Sequence, residues 1–141
     1  MAHTKFPVEV LTPDGKVFDD EVEMVSTRTG IGSIGILANH TPLLAMLEPT
    51  ELRLYQGEND VIRYAQGEGY LQVANGRVLV LVEEADEPDS LDTSDLQNRL
   101  EQAKERLSNA EEDSEDERIA RRECRRWEAF LEIAEGGGGG S

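Results

Sequence analysis

Two histidines, one cysteine and 30 carboxylates are the groups in this 141-residue chain that could carry acid–base, nucleophilic or metal chemistry. His3 stands beside the N-terminus, which leaves His40 as the histidine expected in structure. One His and one Cys in separate segments do not make a structural zinc site, which takes four such ligands. A Ser–His–Asp set could draw on Ser26 or Ser33 with His40, but neither serine stands in a nucleophile-elbow sequence. Between Asn39 and Thr41-Pro42, His40 has a plainer expected role, a hydrogen bond to neighbouring backbone. Gly30, Gly32 and Gly35 invite a phosphate-loop reading. No Gly-Lys-Ser/Thr follows them and no helical pattern comes next, so an anion there would lack a helix N-terminus. Strand bends or bulges account for these glycines instead. The residues therefore predict no catalytic set, no metal and no cofactor.

Charge is the other chemistry available. Glu111–Glu117 holds six acids in seven positions, and Arg118, Arg121, Arg122, Arg125 and Arg126 follow within nine. Spacings of three and four put these arginines on one broad helix face. Ion pairs with Glu117, Glu123 and Glu128 would make that face a solvated surface; otherwise it suits an acidic protein surface or a nucleotide's phosphates. The whole chain carries −16, which disfavours nucleic acid and any direct hold on anionic lipid. No apolar run reaches the roughly 18 residues of a membrane span, and Met1–Lys5 has no signal-type apolar core. Cys124 is the single cysteine, so no internal disulfide forms and a reducing cytosolic compartment fits.

Two kinds of element must position these groups. Residues 1–87 carry a net −9 and residues 88–141 a net −7, so acidity does not separate them. Periodicity does. Phe6–Leu11 precedes the turn Pro13-Asp14-Gly15, Glu21–Ser26 mixes polar and apolar positions like one half-buried strand, and Leu52–Tyr55 and Val61–Tyr64 flank the loop Gly57–Asp60. Tyr70–Val73 and Val78–Val82 enclose Asn75-Gly76, the pair that favours a type I′ hairpin. Lys5–Glu84 is accordingly an all-β domain of sandwich type, and domain 1–87 contains it.

After Pro88 the period becomes helical. Leu96, Leu100, Ala103, Leu107 and Ala110 recur at steps of four and three, as do Ala120, Cys124, Trp127, Leu131 and Ala134. Ser94 with Gln97, and Ser114 with Glu117, read as capping boxes. The pattern predicts an antiparallel two-helix hairpin over 88–135 with a seam one residue wide, Trp127 packed in it beside Leu131. A flexible Gly-rich tail, 136–141, follows.

The stretch Gly32-Ser33-Ile34-Gly35-Ile36-Leu37-Ala38-Asn39-His40-Thr41-Pro42-Leu43-Leu44 resembles the signature G-x-[LIF]-G-[IVM]-L-x-x-H-x-P-L of the epsilon subunit of F-type ATP synthases. Val8–Gly15 looks like that family's first hairpin, and Gly67–Val73 with Val78–Ala85 looks like its last two long strands. A sandwich followed by a helical hairpin is also its architecture, so the resemblance covers nearly everything but the tail.

The resemblance implies a non-catalytic rotor subunit on the cytoplasmic face of the cell membrane, held there through other subunits. Its implied partners are the gamma subunit and the c-ring, with the beta subunits added when the hairpin is extended. Gly30, Ile31, Gly32, Ser33 and Ile34 fall where the family meets the c-ring, and His40, Thr41, Pro42 and Leu43 near its contacts with gamma. The face Arg118–Arg126 falls where a basic C-terminal helix meets beta subunits to inhibit hydrolysis. Some relatives bind ATP through [IL]-D-x-x-R-A; here Leu91 and Asp92 fit, but Asp95 stands where Arg is required and Leu96 where Ala is. A carboxylate repels phosphate, so no tight ATP site is expected. The competing reading is an unrelated cytosolic adaptor, a β sandwich with a partner-binding helical hairpin.

Overall fold

Alternation of buried and outward side chains in most strands builds the first part of the molecule. In the computed structural model, which describes residues 3–136, the chain divides into two units after Glu87. The first contains β1 (Phe6–Thr12), β2 (Gly15–Val22), β3 (Met24–Thr29), β4 (Gly32–Ile36), β5 (Leu43–Leu47), β6 (Thr50–Gly57), β7 (Asp60–Gln66), β8 (Gly69–Ala74), β9 (Arg77–Val82) and β10 (Ala85–Asp86). One layer has the order β4-β3-β6-β7-β10 and the other β5-β8-β9-β1-β2; a single bridge, Thr29 to Leu47, joins them. All pairings are antiparallel except that of β1 with β9.

In β1, β3, β6, β8 and β9 every second residue points into the space between the layers, whereas β2 buries only Phe18 and Val22. Phe6, Val8 and Val10 of β1, Leu52 and Leu54 of β6, Leu71 and Val73 of β8, and Val78, Val80 and Val82 of β9 are buried in one core cluster. Each such side chain contributes about 1.5–3 kcal/mol in transfer from water. Among the described residues of this unit, Thr27, Thr29 and Gln66 are the buried polar ones, and Thr29 bonds within its own turn. The Thr27 hydroxyl donates to Gln66 Oε1 at 2.6 Å, and Gln66 Nε2 donates to the Glu48 carbonyl at 2.8 Å. Both buried groups are thereby satisfied.

Turn chemistry sets the register. Asn75 (φ 53°) and Gly76 (φ 75°) both take positive φ and close the hairpin at the pair Ala74–Arg77. The expected single strand over 21–26 is divided instead. β2 ends at Val22 and β3 starts at Met24, because Glu23 donates its N–H sideways to the Tyr55 carbonyl at 2.6 Å. A side chain at Gly69 would bring its Cβ to 1.9 Å from the Leu81 carbonyl oxygen, so only glycine lets β8 start there against β9.

The second unit holds a short 3-10 turn (Pro88–Ser90) and two helices, α1 (Thr93–Asn109) and α2 (Glu115–Ala134). The cap of α1 is Asp92, whose carboxylate accepts from Ser94 N (2.9 Å) and Asp95 N (3.3 Å). This corrects the expected box on Ser94 and Gln97. A carboxylate that satisfies two free N–H groups and sits at the positive end of the helix dipole outcompetes a hydroxyl two residues later. Ser114 caps α2 as expected, accepting from Glu117 N at 3.1 Å, while Glu117 reaches back to Asp113 N at 3.2 Å. Asp113 makes the tight turn with φ 62°.

The apolar face of α2 is wider than the expected seam. Ala120, Cys124 and Trp127 are buried, but further along the buried residues are Phe130 and Ile133, with Leu131 and Ala134 half-buried. Steps of three fall short of 3.6 residues per turn, so the row from Cys124 to Ile133 drifts around the helix instead of staying on one line. The Gly-rich tail lies outside the described residues beyond Gly136.

Candidate functional site

The glycine-rich segment is a hairpin tip. Gly30 and Ile31 form the turn between β3 and β4, and the register from Thr29–Gly32 to Val25–Ile36 is regular. No bulge is present in this pair; the positive φ falls on Gly32 (131°). The Thr29 hydroxyl secures the turn, accepting from Ile31 N at 3.2 Å and donating to the Gly32 carbonyl at 3.0 Å. Ile31 is left 101% exposed at the tip, Ser33 is exposed, and Ile34 packs against the core. A strand rather than a helix follows the glycines, so the geometry of a phosphate loop is absent here.

His40 lies in the loop between β4 and β5. Its Nδ1 is 2.7 Å from the Thr41 carbonyl, and its N–H donates to the Leu37 carbonyl. Thr41 and Pro42 are exposed, and Leu43 opens β5 opposite Val73. Ser26 and Ser33 share the β3–β4 hairpin, but the imidazole is bonded to its own loop, and no acid–nucleophile relay is assembled. The Gly30 N–H donates to the Met46 carbonyl at 3.1 Å, so the tip lies at the Leu47 end of β5, while His40 precedes its Leu43 end.

Between them is a surface that the reading of the sequence missed. Leu44 (71% exposed), Met46 (66%), Tyr70 (51%) and Leu81 (43%) point away from the core. The register aligns Met46 with Tyr70, Tyr70 with Leu81, and Leu81 with Leu11, making one apolar row across β5, β8, β9 and β1. The signal was present in Val78–Val82. Five consecutive apolar residues in a strand cannot all face one core, so the outward ones need another cover. From Thr29 to Leu47 the chain also has nineteen residues without Lys, Arg, Asp or Glu, although 31% of all residues are charged.

The arginines of α2 divide among different tasks. Arg121 approaches Glu117 at 3.6 Å, and Arg118 donates to the Asp113 carbonyl at 3.3 Å. Arg126 lies over the Trp127 ring at 5.3 Å, and Arg99 of α1 lies over the same ring at 5.0 Å. Trp127 meets Phe130 edge-on with centroids 5.7 Å apart. Glu123 is taken across the seam by Arg106. Arg122 and Arg125 are exposed and have neither ion pair nor hydrogen bond among the described residues. Of the i,i+4 ion pairs considered for this face, Arg121 with Glu117 is formed, as a long contact.

Leu91 is half-buried, and Asp92 is engaged as the cap of α1. Asp95 pairs with Arg99 at 2.9 Å. The Cys124 thiol is buried, and burial, reinforced by Glu128 and Glu123, pushes its pKa up, so the thiol stays protonated and unreactive. No group of three or more His, Cys, Asp or Glu side chains is placed to hold a metal among the described residues.

The family model described as ATP synthase, Delta/Epsilon chain, beta-sandwich domain matches residues 5–88. The chain belongs to the ATP synthase epsilon chain family. It is 36% identical over 127 residues to the ATP synthase epsilon chain of Halalkalibacterium halodurans, covering 90% of this chain and 95% of that one. It is 39% identical over 130 residues to that of Persephonella marina, covering 92% and 91%. Among solved structures, a chain of the Euglena gracilis mitochondrial ATP synthase is similar in fold, with TM-score 0.74 at 20% identity over 89% of this chain and 79% of that one. A chain from the central stalk and c-ring of the Tetrahymena thermophila mitochondrial enzyme gives 0.59 at 15% identity over 97% and 99%. Epsilon chains are non-catalytic subunits, so the residues singled out above are read as contacts rather than as reactive groups. No described helix is long and apolar enough to cross a membrane.

Proposed function

We propose that this epsilon chain is a central-stalk rotor subunit that couples the gamma subunit to the c-ring and restrains ATP hydrolysis through its C-terminal helices. The observation that carries the reading is the apolar row Met46–Tyr70–Leu81–Leu11 on the outward face of a folded sheet. A sheet that exposes such a row is built to be covered by another protein. His40, Thr41, Pro42 and Leu43 border that face and are assigned with it to gamma. The tip Gly30–Ile34, whose fully exposed apolar side chain is Ile31, is assigned to the polar loops of the c-ring. Membrane attachment is then peripheral, on the cytoplasmic face, and passes through those subunits.

The hairpin is assigned the regulatory task. Arg122 and Arg125 project into solvent and suit acidic helices of the beta subunits, with Arg118, Arg121 and Arg126 beside them. The hairpin joins to the β unit through the short 3-10 turn Pro88–Ser90, and an element of two helices packed on each other suits folded and extended states. ATP is not assigned to it, because Asp95 turns a carboxylate toward Arg99 where a phosphate-binding guanidinium would have to be free.

The test is co-purification of the full chain with the gamma subunit and c-ring. Wild type is expected in the complex, and Met46→Glu with Tyr70→Glu is expected to lose at least about tenfold in affinity while keeping its β-sheet circular dichroism. A wild-type chain that binds neither subunit would sink the reading and leave the unrelated adaptor.

A further inference from the structure

The outward face of the layer β5-β8-β9-β1-β2 holds, next to the Asn75-Gly76 turn, a cleft of about 250 Å³ lined by Pro7, Glu9, Gln72, Ala74, Arg77 and Leu79. Along β9 the outward residues are Arg77, Leu79 and Leu81, and Leu81 belongs to the apolar row. Four residues at about 3.3 Å each put Arg77 about 13 Å along the strand from Leu81. The turn holds its backbone in place, since the pair Ala74–Arg77 closes the hairpin over Asn75 and Gly76. Charge in the cleft is unevenly settled. Glu9 is taken by Lys16 at 3.1 Å, and the same ammonium holds Asp19 at 2.9 Å. Arg77 is exposed and has no ion pair, hydrogen bond or ring contact among the described residues. In a chain with 30 acids against 14 bases, it is a cation whose donors face outward unused.

We infer that Arg77 receives a carboxylate from the segment of the gamma subunit that covers the apolar row, and that this pair fixes the segment's orientation on the sheet. The inference rests on the assignment of this face to gamma and adds the chemistry of the occupant. That segment lays apolar side chains over Met46, Tyr70 and Leu81 and carries an acid about 13 Å further along β9. Apolar contact is non-directional, so the row by itself accepts a covering segment either way round. A charge at one end removes that freedom. The reversed segment would leave its carboxylate over apolar side chains and Arg77 unanswered. An arginine suits the task, because its planar fork meets both oxygens of a carboxylate. Once the cleft is covered, with Pro7 and Leu79 on its protein side, the pair leaves bulk water and counts for more than an exposed one.

The test is titration of the full chain with purified gamma subunit at low salt and at about 1 M salt, where the screening length falls to about 3 Å. Arg77→Gln should bind about fivefold more weakly than wild type at low salt and within about twofold of it at high salt. Arg63→Gln removes the same charge from an exposed position of β7 in the other layer, and should stay within about twofold of wild type at both. Arg77→Gln that binds as wild type at low salt would overturn the carboxylate and leave the assignment to gamma standing. A fivefold loss that persists at high salt would do the same. An equal loss for Arg63→Gln would mean that net charge acts rather than a local pair, and would also overturn it. A wild-type chain that does not bind gamma would overturn both readings.

Discussion

Two regions of this chain meet their surroundings with opposite chemistry. From Thr29 to Leu47 there is no formal charge, and the run forms a hairpin tip, an edge strand and, at Met46, one end of an exposed apolar row. From Glu111 to Arg126 most residues are charged, first acidic and then basic, on a turn and on the solvent side of a helix whose other face is buried against α1. Burial of apolar surface is insensitive to salt and suits a lasting attachment. Exposed arginines act over about a Debye length, are screened by salt and suit contacts made and broken. That difference is the basis on which the proposed function gives attachment to the β unit and regulation to the helices.

The largest expected effect falls on the support of the neutral surface. Leu54 is fully buried in the β core, and Leu54→Ala should cost about 3 kcal/mol in chemical denaturation followed by far-ultraviolet dichroism. A loss below about 1 kcal/mol would mean that this core does not carry the sheet. Next comes the charged surface. Arg122→Glu with Arg125→Glu should relieve the restraint on hydrolysis several-fold at low salt, with the gap closing as ionic strength rises, and assembly should stay as in wild type. If the double variant fails to assemble, attachment and regulation are not separated as described. The smallest effect tests the hairpin itself. Asp92→Ala removes the acceptor for Ser94 N and Asp95 N and should cost about 1 kcal/mol of helix stability, read from Trp127 emission during denaturation. An unchanged midpoint would show that the start of α1 is held by something other than its cap.

Local rules made much of this architecture legible in advance. Asn75-Gly76 forces positive φ at two successive residues and so announces its hairpin, and the change from alternation to steps of three and four marks the passage to helices near Pro88. What escaped depended on distant pairings. Met46, Tyr70, Leu81 and Leu11 form a row only because β5 pairs with β8, β8 with β9, and β9 with β1, and no short window contains those four residues. The cap of α1 escaped for another reason. Asp92 and Ser94 are both good capping residues, and the choice is made by how many N–H groups each can satisfy. Among the arginines, spacing showed a shared face, but the Trp127 ring that draws Arg99 and Arg126 became visible only with α1 beside α2.

ATP hydrolysis by the catalytic head, measured with the full chain and with a chain ending at Asp89, tests the division of labour most directly. The shortened chain retains the whole β unit and its apolar row, so it should bind as the full chain does while hydrolysis rises several-fold. Equal hydrolysis with both chains, or loss of binding by the shortened one, would contradict it.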